Sequence, residues 1–299
     1  MTNNSTSAAR LDPPVAGFQD IDGRRIFVHR AGSGGPAVVF LPGAGAVGLD
    51  YFTVQQGVSE FTTAVVYDRG GTGYSDPVPL PRTAAAVATE LRDVLRAEGL
   101  AGPYVLAPHS LGGLYAHRFA QLYPREVAGL VWLDGLHRDW DSFMPSAASL
   151  AATERMTPDP DRLRELRAAV RAMSTELYAR YPEHIRQPLI DAKAGDDWLR
   201  AGLAERRALV ELATELRSGP DIPDVPVVAL TVLGEDPDGN RISREIQEGR
   251  RAMDAALAGS VSCGQQRIVS GTVHHRLCFD RPDAVIRAIR DVLDRAASV

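Results

Sequence analysis

Short, nearly unbroken apolar runs recur along the chain at 37–41 (AVVFL), 63–67 (TAVVY), 104–107 (YVLA), 128–133 (AGLVWL), 225–233 (VPVVALTVL) and 267–269. They lack polar alternation, as strands buried on both faces do. An earlier strand is expected at 24–29, followed by a Gly/Ser turn over 31–36. Between these runs the apolar positions shift to helical spacing. One helix is expected over 83–98, ended by Gly99, another over 111–123, stopping before Pro124, and a third over 283–295. Strand–helix alternation predicts an α/β fold with a mostly parallel central sheet covered by helices on both faces. The alternation stops between 136 and 220, where Arg, Glu, Ala and Leu dominate. Helices over 161–181 and 198–217 are expected there, with Pro182, Pro188 and Gly195 as punctuation. The predicted organisation is a flexible tail (1–17), a core (18–135 and 221–299) and a helical insertion (136–220).

Composition narrows the function classes. The 299 residues suffice for a large core, and 44% hydrophobic with 24% charged residues excludes wholesale disorder, collagen and coiled coil. The net charge is −5, Lys193 is the only lysine, and the arginines are dispersed among acids, which gives no footprint for nucleic acid. Cys263 and Cys278 form neither a disulfide framework nor a metal spacing, so two free thiols and no metal or cofactor are expected. Residues 1–14 carry no apolar signal region, and no run approaches the ~20 residues of a membrane span. A soluble, cytoplasmic protein acting on a small molecule is expected, with its oligomeric state open.

The main chemical signal is Pro108-His109-Ser110-Leu111-Gly112-Gly113, placed between a predicted strand and a predicted helix. That is the setting of a G-x-S-x-G nucleophile turn, with proline at the first glycine position. A serine on such a bend is exposed above the sheet, and Gly112 leaves room for the tight backbone. The helix N-terminus that follows favours developing negative charge, and the Leu111 N–H is placed to serve as an oxyanion donor. Serine needs a general base near neutrality, and two adjacent histidines, His274 and His275, precede the last helix. In an extended segment the two cannot both face Ser110. His109 is expected to pack around the nucleophile.

These motifs resemble the α/β-hydrolase family over about 18–296, most weakly across the insertion. The resemblance implies a Ser–acid–His triad in that chain order and a helical cap where the insertion falls. It matches the second oxyanion donor to the Ala44 N–H in Leu41-Pro42-Gly43-Ala44-Gly45, with Pro42 where the family usually carries histidine. It matches the acid to Asp236 in Leu233-Gly234-Glu235-Asp236-Pro237-Asp238, with Asp238 and Glu235 as runners-up and Asp134, at the end of an earlier strand, as a distinct alternative. It favours His274 as base over His275, and gives Asp68 and Arg69 the structural task of tying loops together. The implied activity is a serine hydrolase cleaving a small or medium carboxylic ester, lactone or thioester through an acyl-enzyme. The alternatives are an amide-cleaving enzyme, a non-hydrolytic cyclase or carbon–carbon hydrolase, and a non-catalytic ligand-binding relative. Trp140, Phe143, Met144 and Trp198 are candidates for an apolar pocket lining.

Overall fold

A computed structural model describes residues 12–159, 162–234 and 241–298. Most of the expected tail, and Glu235, Asp236 and Asp238, lie outside the described residues. Among the described residues eight strands form one sheet: β1 (Phe18–Ile21), β2 (Arg24–Ala31), β3 (Val38–Leu41), β4 (Ala64–Tyr67), β5 (Tyr104–Pro108), β6 (Val127–Leu133), β7 (Val227–Val232) and β8 (Gly264–Val269). Their order is β1-β2-β4-β3-β5-β6-β7-β8. β1 and β2 pair antiparallel, β2 meets β4 antiparallel, and every pairing from β4 to β8 is parallel.

The apolar runs serve both faces because side chains alternate along a strand. Val39, Leu41, Tyr104, Leu106, Leu130 and Trp132 join one core with the helices Ala84–Ala97 and Gly112–Leu122. Val38, Phe40, Val105, Ala107, Val131 and Leu133 join the other, with Phe52–Ser59 and Pro282–Ala296. Between β6 and β7 the described chain has six α-helical segments and no strand: Trp140–Phe143, Leu150–Met156, Leu163–Leu177, Glu183–Lys193, Asp196–Arg206 and Leu209–Arg217. The helix expected over 198–217 is thus two, broken at Arg207 and Ala208. A further helix, Arg241–Gly259, packs on β7 and β8. It is very polar and buries one side only, through residues such as Met253 and Leu257.

The fold positions the site by register. β5 lies between β3 and β6, so the loops after all three converge at one end of the sheet. β6 and β7 are neighbours, which brings the ends of both within reach of the loop after β8. Among the described residues no helix is long and apolar enough to cross a membrane.

Candidate active site

Ser110 sits just beyond β5 with φ +52°, a left-handed conformation that an L-residue adopts only when its surroundings enforce it. The enforcement is visible around it. His109 N–H donates to Leu41 O (3.0 Å), and Leu136 N–H donates to the Ser110 carbonyl (2.7 Å). Helix Gly112–Leu122 starts so close to β3 that a Cβ on Gly112 would lie 2.1 Å from Leu41 O, so only glycine fits there. Pro108 is simply the last residue of β5, paired with Leu41.

His274 opens a short 3-10 turn after β8. Its Nδ1 lies 2.6 Å from Asp134 Oδ2. A carboxylate at neutral pH only accepts, so Nδ1 carries the hydrogen and Nε2 is the basic nitrogen of the neutral ring. Asp134, just past β6, is also in the left-handed region (φ +47°) and is buried. Its Oδ1 accepts from Val232 N–H (3.1 Å), and its Oδ2 also accepts from Arg250 Nη1 (2.7 Å). Burial alone would raise this carboxyl, but the His274 hydrogen bond, the Arg250 charge and the Val232 amide hold it below the ordinary carboxylate range. Asp236, expected as the acid, lies outside the described residues. The Nδ1 hydrogen of His274 is held by Asp134, and an imidazole has only one hydrogen at that nitrogen. His275 is exposed and makes no side-chain hydrogen bond among the described residues.

His109 links three parts of the site. Its Nε2–H donates to the His274 carbonyl (3.1 Å), so its Nδ1 accepts from the Tyr51 hydroxyl (2.9 Å). Tyr51 in turn accepts from Gly43 N–H (3.3 Å). The His109 and His274 rings lie with centroids 4.9 Å apart, tilted by 32°. Burial, and then the neighbouring His274, push His109 down to about 3, so it is a fixed neutral linker rather than a second base.

The loop 42–45 is held from both sides. Arg69, fully buried, donates to Pro42 O (2.7 Å) and Gly43 O (3.0 Å) and forms a two-pronged ion pair with Glu205 (2.9 and 2.6 Å). Glu205 belongs to helix Asp196–Arg206 and also accepts from Gly45 N–H (2.9 Å). Lys193 donates to Gly45 O (3.1 Å) and to Asp50 (2.6 Å). Gly45 and Gly202 touch through their backbones, and a Cβ on Gly202 would stand 2.9 Å from Gly45 Cα. The loop's shape therefore depends on the helices between β6 and β7. Asp68 ties the neighbouring turn by accepting from Gly48 and Tyr74 amides (2.6 and 2.8 Å). Replacing Glu205 by Gln leaves Arg69 as a buried unpaired cation, an expected loss of about 3–5 kcal/mol. Urea denaturation reads it, and a midpoint equal to the wild type's would show that the pair contributes nothing.

Ser110, His274, Ala44 and Leu111 line one cavity of about 450 Å³. The Ala44 and Leu111 amides have no acceptor among the described residues. Much of the remaining wall is the face of helix Leu163–Leu177 bearing Leu166, Val170, Met173 and Leu177. Trp140 and Trp198 join this wall as expected. Phe143 and Met144 do not; they pack beside Gly249 instead, because helix Arg241–Gly259 closes over them. Cys278 lines the cavity as a free, buried thiol whose proton affinity burial raises. Among the described residues no cluster of three or more His, Cys, Asp or Glu could hold a metal ion.

Tyr51, Glu205, Lys193 and Arg250 were not marked by the sequence as parts of the site. None lies in a recognisable motif, and only Lys193 stands out, as the single lysine.

Comparison with known proteins agrees with this architecture. The pattern of the alpha/beta hydrolase family matches residues 38–288. The Bacillus subtilis protein YbdG is 33% identical over 117 residues, covering 38% of this chain and 36% of YbdG. The match thus spans about a third of that relative. Among solved structures, the epoxide hydrolase CorEH superposes with TM-score 0.71 at 19% identity, over 93% of this chain and 97% of its own. A thermophilic esterase from Thermogutta terrifontis superposes with TM-score 0.57 at 20% identity, over 91% and 94%. Fold, topology and family pattern coincide over most of the sequence, and the chain belongs to the alpha/beta hydrolase family.

Proposed function

We propose that this protein is a serine hydrolase that cleaves a carboxylic ester of small or medium size through an acyl-enzyme. The observation that carries the reading is the 2.6 Å contact of His274 Nδ1 with the buried Asp134, on a histidine sharing a cavity with Ser110. Asp134 is the acid in this reading, in place of Asp236. The helices over 136–220 form the cap.

The chemistry follows from the groups present. Nε2 of His274 takes the Ser110 proton as Oγ attacks the ester carbonyl. Asp134 fixes the tautomer and stabilises the imidazolium that results. The tetrahedral oxyanion is received by the Ala44 and Leu111 N–H groups, and collapse passes the proton from His274 to the leaving alcohol. Water then repeats the sequence on the acyl-enzyme and releases the acid. A serine rather than a carboxylate at the nucleophile turn supports acyl transfer over direct epoxide opening, although the fold by itself decides neither.

The apolar cap wall supports an aliphatic acyl group. With about 0.8 kcal/mol per buried CH₂, kcat/KM should rise at least about tenfold from nitrophenyl acetate to nitrophenyl hexanoate. The matching hexanoyl anilide tests the amidase alternative. A flat chain-length series, or anilide cleavage as fast as ester cleavage, would overturn the ester assignment.

A further inference from the structure

Arg250 is a charged side chain at the site that the mechanism above leaves unused. It stands on helix Arg241–Gly259 and lines the cavity. Its Nη1 donates to Asp134 Oδ2, the same oxygen that receives His274 Nδ1–H. Two donors on one oxygen put the guanidinium nitrogen and the imidazole nitrogen no more than about 5.3 Å apart, where like charges interact strongly. Arg250 Nε is buried with no partner among the described residues, so Asp134 is its principal anchor. The guanidinium carbon lies 5.8 Å from the centre of the Trp140 ring.

We propose that Arg250 is a positioning residue that sets the pH range of the base: it holds Asp134 in place and, through the shared oxygen, makes formation of the His274 imidazolium in the free enzyme less favourable. This inference rests on the Ser110–His274–Asp134 reading.

The charges around the base support it from each side. In an isolated Asp–His pair, protonating the ring gives a neutral unit. Here it gives a unit of charge +1, because Arg250 is already present. The turn before Ser110 contributes His109, which is neutral, and the base's own loop contributes His275, which burial lowers, and Arg276, which is paired with Asp280 and Glu176. The helix contributes Asp254, one turn beyond Arg250. Asp254 could cancel the cation, but it is buried, with Oδ2 accepting from Thr231 (2.7 Å) and Oδ1 without a partner among the described residues. Burial pushes it up to about 7, so below neutrality it is largely uncharged and does not offset the +1 charge of the protonated Asp134–Arg250–His274 unit.

The test measures the rate of Ser110 modification by a fluorophosphonate against pH, in the full chain, which needs no knowledge of the natural substrate. Arg250→Gln should move the acidic midpoint of the profile upward by about one pH unit, since a like charge near the ring has been removed. Arg250→Lys, which keeps the charge, should stay close to the wild type. Arg250→Met, which preserves the apolar stem, serves as a second neutral variant if the glutamine protein does not fold. A neutral variant with a slower plateau but an unmoved midpoint would assign Arg250 a merely structural role and overturn the proposal. An equal upward shift in the lysine variant would overturn it too. If the wild type is not modified at any pH, the serine-hydrolase reading fails, and this inference with it.

Discussion

Ser110→Ala is expected to lower kcat for nitrophenyl ester hydrolysis by about 10⁴-fold or more while leaving the melting temperature within a few degrees of the wild type. In the proposed mechanism the serine would supply the only bond to the acyl group, and what survives its loss would be the background of the oxyanion donors and binding. Stability should change little because the strain at this position belongs to the backbone. φ is +52°, and the enforcing contacts are the His109 and Leu136 amides and the approach of Gly112 to Leu41, none of which uses the hydroxyl. Steady-state kinetics with a melting curve on the same preparation checks both. Retention of more than a few per cent of kcat would move the nucleophile elsewhere.

Asp134→Asn should lower kcat by a similar order, about 10⁴-fold. The amide is nearly isosteric, so the hydrogen bond from Val232 and the packing around the strand end can persist. What changes is the partner offered to His274. An amide nitrogen facing Nδ1 would favour the tautomer with its hydrogen on Nε2, which cannot accept the Ser110 proton. An amide oxygen facing it would still lack the charge that stabilises imidazolium. The loss should therefore fall on kcat more than on KM. Asp236→Asn is the control and should retain near wild-type kcat. The reverse result, with Asp134→Asn active and Asp236→Asn inactive, would return the acid to the loop after β7.

That pair of substitutions also marks how far the sequence could be read. The strands were legible because β3, β4, β5, β6 and β7 are buried on both faces and so appear as apolar runs. The sharp turn at Ser110 was legible because serine and glycine hold fixed places between a strand and a helix. The choice of acid was different. β6 and β7 are adjacent in the sheet, so a carboxylate at the end of either can reach one base, and local sequence cannot rank them. The left-handed backbone at Asp134 and its contact with Arg250 exist only in three dimensions. Helix Arg241–Gly259 was not legible because residues 241–251 are mostly charged or polar and its buried apolar stripe is narrow. Arg250 was hidden with it. The break at Arg207 and Ala208 carries no proline or glycine, yet it lets Glu205 reach Arg69 while Leu209 and Leu212 turn to the core.

The loop 42–45 shows the same limit from another side. Its Gly43-Ala44 step is a visible motif, but its shape is held by Arg69, Glu205 and Lys193, far apart in sequence. The amides that would receive an oxyanion are thus ordered by an ion pair between the sheet and the helices above it.

Peptide mapping of the protein after reaction with a fluorophosphonate, in the wild type, His274→Ala and His275→Ala, tests the central claim most directly. The account predicts one adduct, on Ser110, formed in the wild type and in His275→Ala and suppressed at least about a hundredfold in His274→Ala. An adduct on another residue, or labelling of Ser110 that is unaffected by His274→Ala, would contradict it.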